Sequence, residues 1–438
     1  MVVRRALAFL LLALVAPCPA ALASGFLLDQ HSARALGMGN AFTGLADTAA
    51  AAFFNPGGLG QLRGLHLEAG LALLAPSARY DGAAPGSGAP VTIDAERQLF
   101  WLPHLHVAYR LHERVVAALS VHVPFGLGMA WPSTVSVGGE SRAFWGRSIV
   151  RRIRLESVAL APTLALQVNR QVCVGFGISI VKAAVSLERA VTLSARLEDD
   201  VDVELSGGDV GFGMNAGVLF RAIPKLLHVG VSLRSGAPLT FNGKAAFTRG
   251  GRAELVPAGL RARLTDGPVK APLDLPHVLS VGAVAFATPK LALALAMDVV
   301  TWNNFRELQL EFTENPELSV AEQKRWKTIV VVHLGAEYRL RPNLPLRAGF
   351  VFKQSPVPAD TLGPELPDGH RYEVSLGLSY AYRAFSADLA YLFMLTGRTP
   401  TAEVAPLPGE YRNQAHVAML GLRYAWDRAR SLLTTRRR

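Results

Sequence analysis

Apolar and polar residues alternate with period two over long stretches of this chain, and that pattern dictates strands. From 291 to 300, Leu291, Leu293, Leu295, Met297 and Val299 fall on one side, and Ala292, Ala294, Ala296 and Asp298 on the other. From 374 to 382, Val374, Leu376, Leu378, Tyr380 and Tyr382 alternate with Ser375, Gly377, Ser379 and Ala381. The same reading holds for 330–340 and for 416–426, where Leu420, Leu422, Tyr424 and Trp426 oppose Gly421 and Arg423. One face is apolar and ends in aromatics; the other is small, polar or charged. A transmembrane barrel divides its strands this way, with hydrocarbon outside, a polar lumen inside and aromatic girdles at the interfaces. A soluble β-sandwich also alternates, but its strands are typically about 5–6 residues long, shorter than these runs.

Breaks at Gly, Pro, Asn and charge clusters place strands near 65–75, 99–110, 114–123, 156–168, 172–188, 209–221, 226–235, 278–287, 290–300, 328–340, 345–354, 371–382, 385–395 and 415–426. Long and short connections alternate strictly between them, the long ones including 236–277 and 301–327 and the short ones 111–113 and 383–384. Short periplasmic turns and long extracellular loops are the outer-membrane pattern. The expected fold is all-β, a 14-stranded antiparallel transmembrane β-barrel over 65–426, with both ends in the periplasm.

Segment 24–64 lacks this alternation and is rich in Gly and Ala. Its apolar residues, among them Phe26, Leu27, Leu28, Phe42, Phe53 and Phe54, favour packing over dangling in water. A barrel wider than the roughly 8-strand size that side chains alone fill has room for a plug. We therefore expect an N-terminal hatch inside the lumen. Ahead of it, Arg4 and Arg5, the apolar run 6–16 and Ala21-Leu22-Ala23 read as a signal peptide, 1–23, with Ser24 the first mature residue. The run is too short for a spanning helix, which needs roughly 20 apolar residues, and Pro17 before Cys18 fits a lipoprotein signal poorly.

Composition sharpens this picture. Half the residues are hydrophobic and 18% charged, a mixture that spanning strands accommodate because only alternate residues need be apolar. Cleavage would leave Cys173 as the one thiol, so neither an intramolecular disulfide nor a thiolate metal cluster is expected. The net charge of +11 is scattered except in the basic tail, 427–438, and no nucleic-acid-binding fold accompanies it. No P-loop, G-x-S-x-G, H-E-x-x-H or EF-hand loop is present, so no enzyme is expected, and no cofactor or metal. His104 and His106 share a strand face in PHLHV and read as lumen-facing polar residues rather than a metal pair.

The mature N-terminus, SGFLLDQHSARALGMGNAFTGLADTAAAAFFNPGGL, followed by VPFGLGMAW, GDVGFGMNAGVLF, LDLPHVLSVGAVAF, TWNNF, LGAEYRL, LRAGFVFKQSPVP and LPDGHRY, resembles the FadL/TodX family of outer-membrane transporters for long-chain fatty acids and aromatic hydrocarbons, in family order over nearly the whole mature chain. The family's Asn-Pro-Ala-Gly-like motif reads Asn55-Pro56-Gly57-Gly58 here, with Gly in the usual Ala place. The resemblance implies a 14-stranded barrel plugged by a hatch. It also implies a route: capture by extracellular loops, a pocket near the hatch N-terminus, and sideways exit at a kinked third strand. Gly25, Asn55, Pro56 and Gly57 would belong to the hatch and its gating, and Phe26 to the pocket. Pro124, Phe125, Gly126 and Gly128 would form the lateral opening, where proline removes a ladder donor and glycine weakens pairing; the alternative is that Pro124 simply ends the strand at the loop. One departure stands out: the last strand of such barrels commonly ends the chain on an aromatic, whereas Trp426 is followed by Asp427 to Arg438.

Candidate ligand contacts follow. Arg347 and Lys353 lie on the inward register of LRAGFVFK, suited to a carboxylate, or else to an interior ion pair with an acid such as Glu337. Leu239, Phe241 and Phe247 in the fourth long loop would form the capture groove that the resemblance implies, or else the loop covers the barrel mouth. The function expected is uptake of hydrophobic compounds such as long-chain fatty acids, by passive diffusion across the outer membrane of a Gram-negative bacterium. A general aqueous porin is the alternative, and segment 24–64 argues against it. An outer-membrane lipid hydrolase would need a Ser and a His in hydrogen-bond reach on one strand face, and the sequence alone identifies no such pair. Expected partners are the hydrophobic ligand (a fatty acid or aromatic hydrocarbon), outer-membrane lipids and lipopolysaccharide, and the barrel-assembly machinery; no nucleic acid is expected, and the barrel would be a monomer.

Overall fold

A computed structural model describes residues 25–192, 200–249, 259 and 264–426. The expected signal peptide, 1–23, and the basic tail, 427–438, lie outside the described residues. Fourteen antiparallel strands form the wall. They are β1 (Leu65–Ala83), β2 (Phe100–His112), β3 (Val115–His122, resuming as Gly126–Ala130), β4 (Arg152–Gln167) and β5 (Val172–Val191). Then come β6 (Val201–Ile223), β7 (Leu227–Arg234, resuming as Pro238–Arg249), β8 (Gly267–Asp274, resuming as Val278–Phe286), β9 (Leu291–Val300) and β10 (Ile329–Arg341). The wall ends with β11 (Leu344–Lys353), β12 (Arg371–Tyr382), β13 (Phe385–Thr396) and β14 (Gly409–Trp426). Pairing of β1 with β14, from Leu65↔Trp426 to Gly82↔Gly409, closes the sheet on itself, as a membrane-spanning sheet requires.

The outer face is apolar: Phe212, Leu293, Leu376, Leu389 and Leu420 are exposed, and Tyr109, Tyr338, Tyr382 and Phe385 gather near the short turns. The inward register carries Glu68, His106, Asn215, Ser232, Glu337 and Asp388, all buried. This is the inverse of a soluble core and the arrangement hydrocarbon demands.

Several strands outrun the sequence expectation on the side of the long connections. β6 begins at Val201 rather than near 209, and the stretch 236–277, expected as a loop, contains the paired segments Pro238–Arg249 and Gly267–Asp274. The reason is polarity. In 201–206 the inward Val201, Val203 and Leu205 are buried while Asp202, Glu204 and Ser206 are exposed. Above the hydrocarbon the outer face meets water and needs no apolar residues, so the alternation changes sense.

Residues 25–64 fill the lumen as two short helical turns, Ala33–Leu36 and Ala51–Phe54, and the 3-10 turn Pro56–Gln61. Ser32 Oγ caps the first by accepting from the Ala35 N–H. Asn55 Oδ1 caps the last by accepting from Gly57 N–H, while its amide donates to Thr43 O (2.8 Å) and to Val218 O on β6 (3.0 Å). Glycines of the wall admit this plug. A Cβ on Gly349 of β11 would lie 2.0 Å from the Gly39 nitrogen, and one on Gly230 of β7 would lie 2.1 Å from the Thr43 oxygen.

Candidate functional site

The lower lumen is a polar seam. Arg34 of the hatch contacts Asp47 at 2.8 Å and Glu337 of β10 at 3.2 Å. Glu337 is also bound by Arg347 of β11 at 2.8 Å, and Arg347 lies 3.7 Å from Asp388 of β13. Asp388 accepts in turn from Arg423 of β14 (2.9 Å) and from the Ser379 hydroxyl. A second tie joins Lys353 to hatch Asp29 (2.8 Å) and to Glu373 (3.0 Å). Burial alone would raise the Asp29 carboxyl, but Lys353 beside it outweighs that and holds it below its ordinary range. Each charge of these two ties meets an opposite one, the condition for leaving it ionised.

Above the hatch the lumen is different. An apolar cavity is bounded by Phe26, Leu127, Leu155, Leu205, Phe241 and Trp326, among others. Its concave, mostly apolar lining with a few polar groups is the character of a small-molecule site. The hatch begins at its floor. The Phe26 ring packs edge-on against Trp302 (4.5 Å between centroids) and Phe125 (6.3 Å) and tilts against Trp326 (5.7 Å). Gly25 has φ +63° with Trp302 where a Cβ would sit, so this turn requires glycine, and its N–H donates to Asp368 (3.2 Å). At the rim Lys324 Nζ pairs with Glu365 (2.6 Å) and Glu322 (3.2 Å).

Strand β3 is interrupted beside this cavity. Its register with β4 runs to His122↔Ala159 and resumes at Gly126↔Glu156, so Val123, Pro124 and Phe125 stand opposite Ser157 and Val158. The surplus residue makes a bulge. The Ser157 hydroxyl donates to Phe125 O (2.6 Å) and accepts from Phe125 N–H (3.0 Å), fixing the bend. Beyond it every residue of Gly126–Ala130 is buried, so this segment leans into the lumen instead of presenting one face to lipid. Pairing of β2 with β3 reaches only Leu105↔Val121. The hatch takes up the vacated ladder positions: Leu28 N–H donates to Pro124 O and Gly126 N–H to Phe26 O, both at 2.9 Å. A second, smaller cavity, bounded by Leu27, Phe53, His122, Pro124 and Phe125 among others, lies on the other side of this hatch strand.

The structure places Phe26 and Phe241 on the wall of one cavity, with Leu239 buried nearby in the same apolar cluster; Gly25 and Gly126 sit beside Phe26 without bordering that cavity, and Phe125 borders the second one. Gly128 lies in the inward-leaning segment after the bend. Phe247 is elsewhere, packed against Phe312. Asn55, Pro56 and Gly57 lie against β5 and β6 at the base of the hatch. Arg347 and Lys353 do not border the apolar cavity; both sit on carboxylates of the polar seam. Sequence reasoning missed Leu127, Leu155, Leu205 and Trp326, which line the cavity. The buried alternate positions of 201–205, opposite in sense to the membrane strands, were the signal that could have found one of its walls.

A family model described as "Outer membrane protein transport protein (OMPP1/FadL/TodX)" matches residues 13–426. The chain belongs to this family. It is a bacterial outer-membrane channel for the transport of hydrophobic compounds, and the family is not one of enzymes. Curated relatives include a long-chain fatty acid transport protein of Salmonella typhi, 24% identical over 92% of this chain and 94% of its own. Another is outer membrane protein P1 of Haemophilus influenzae, 23% identical over 74% of each chain. Among solved structures, a FadL homologue of Pseudomonas aeruginosa superposes with a TM-score of 0.77 at 19% identity, covering 92% of this chain and 99% of that one. The toluene transporter TodX of Pseudomonas putida gives 0.70 at 16%, covering 92% and 99%. At these identities the structural likeness speaks for the fold.

Proposed function

We propose that this channel takes up long hydrophobic molecules, fatty acids among them, and releases them sideways into the membrane at the β3 bend. Ligand captured at the extracellular face settles in the apolar cavity, passes the Phe26–Leu28 strand and leaves through the wall between β2 and β3. The observation that carries this reading is the sharing of the hatch N-terminus. Phe26 borders the upper cavity, its carbonyl is bonded to Gly126 of the bend, and Leu27 borders the second cavity together with Pro124 and Phe125. Displacing one short segment would therefore both connect the cavities and unpair the bend. Lateral release also suits the cargo, since each CH₂ kept out of water is worth about 0.8 kcal/mol. The reading includes a monomeric barrel whose apolar outer face meets lipid and lipopolysaccharide, inserted by the barrel-assembly machinery.

The test replaces Pro124 with Val and Gly126 with Thr, residues suited to a continuous ladder, and follows uptake of a radiolabelled fatty acid by cells, with surface expression measured alongside. Uptake should fall severalfold or more while the barrel reaches the membrane normally. A variant that is normally displayed and transports at the wild-type rate would rule out exit at this position.

A further inference from the structure

The charges at the apolar cavity have a meaning for ligand choice, resting on the reading of that cavity as the ligand site. Among the described residues that border it, Lys324 and Glu365 are the two charged ones, one of each sign. Lys324 is the cation a ligand carboxylate would seek, yet it is already committed. Its Nζ lies 2.6 Å from Glu365 Oε1 and 3.2 Å from Glu322 Oε2, and its side chain is 7% exposed. Glu322 is held in turn by Arg189 at 3.6 Å, so among the described residues the cluster balances, two cations against two carboxylates. Its backbone is fixed as well: Lys324 N–H donates to Arg306 O (2.7 Å), and its own carbonyl accepts from the Thr361 hydroxyl (2.9 Å). Burial pulls the ammonium down, but Glu365 and then Glu322 outweigh that and hold it above its ordinary range, so it stays charged and paired.

We propose that the cavity takes its ligand in uncharged form, and that Glu365 sets this specificity by occupying Lys324. An anionic headgroup arriving here has two options. It can remain without a cation in an apolar enclosure, which is strongly unfavourable. Or it can draw Lys324 away and leave the buried Glu365 carboxylate uncompensated, which is unfavourable for the same reason. A long-chain alcohol, ketone or ester meets neither penalty, and a fatty acid meets neither when it enters as the neutral acid.

The full-length mature protein in lipid nanodiscs tests this with two probes of equal chain length, 1-hexadecanol and hexadecane-1-sulfonate, the second anionic at every working pH. Binding is read by the fluorescence of Trp302 and Trp326, which flank Phe26 at the cavity floor. The wild type should bind the alcohol at least tenfold more tightly than the sulfonate. Glu365→Gln leaves Lys324 with only the shared Glu322 and should shrink that ratio by tenfold or reverse it. Equal or tighter binding of the sulfonate by the wild type overturns the proposal while leaving the cavity as the ligand site. Failure of both probes to bind removes the functional reading itself, and this inference with it. Should Glu365→Gln fail to fold, the wild-type ratio alone decides.

Discussion

The two halves of the lumen are built on opposite principles. Below, the barrel interior is polar and full: hatch and wall are joined by Arg34, Glu337, Arg347 and Asp388, by Lys353 and Asp29, and by Asn55. Above, it is apolar and open, and hatch meets wall there through the Phe26 ring, two main-chain hydrogen bonds and the Gly25 N–H bond to Asp368. A plug must hold against solvent pressure and ion leakage, and directional charge pairs in a shielded site give it one seat. A ligand site must release its occupant, and nondirectional apolar contact allows that. Only the few hatch residues at the junction belong to both halves, which is why we place the moving part there.

Removing the plug should break the comparison most severely. Deleting residues 24–64 should leave a barrel that inserts and conducts ions freely in planar bilayers, because the wall closes through β1 and β14 without the hatch. Conductance equal to that of the intact protein would mean the hatch is not the barrier. A smaller change of the same kind is Gly349→Val, which puts a side chain where Gly39 now sits. The hatch should be displaced in part, exposing 25–64 to added protease, with a conductance between those of the wild type and the deletion.

Point changes in the two halves should separate stability from binding. Arg347→Ala leaves Glu337 and Asp388 short of a buried partner, at a cost of roughly 3–5 kcal/mol, seen as a lower melting temperature with ligand affinity little altered. Phe241→Ala should do the reverse, weakening lipophile binding roughly tenfold, about 1.4 kcal/mol, with little change in melting. Equal effects of both variants on both measurements would erase the distinction between seam and cavity.

Sequence made the membrane part of this molecule readable because hydrocarbon imposes one rule on every strand. Leu291 to Val299 and Val374 to Tyr382 could be placed from alternation alone, and all fourteen strands followed. Above the membrane that rule lapses, so Val201–Leu205 and Pro238–Arg249 read as loop although they are strand, and Leu205, Phe241 and Gly243 of them wall the apolar cavity. The charged candidates show a different limit. Arg347 and Lys353 were rightly placed on the inward register, but inward position alone does not tell a ligand cation from one already paired, and their partners Asp29, Glu373 and Asp388 come from distant parts of the chain. The wall glycines Gly175, Gly230 and Gly349 are plain in the sequence, yet their use, admitting the backbone of a plug, appears only when the plug is in place.

The smallest expected effect is one of pH, and it concerns the seam. His31 of the hatch is 1% exposed, with its ring 5.0 Å from His122 of β3 and its carbonyl 2.8 Å from the His106 ring of β2. Burial, then the neighbouring His104 and His106, holds its pKa well below the ordinary histidine value. The seated hatch therefore resists a proton that the released hatch accepts. Released hatch binds more protons, so seating is favoured at higher pH and weakens as pH falls below about 6.5, by at most about 1.4 kcal/mol per pH unit for this one group. Protease cleavage within 25–64 should accordingly rise severalfold between pH 7.5 and 5.5, and His31→Gln, which cannot take up the proton, should flatten the profile. An identical acid response in His31→Gln would show that groups other than His31 govern the seating of the hatch.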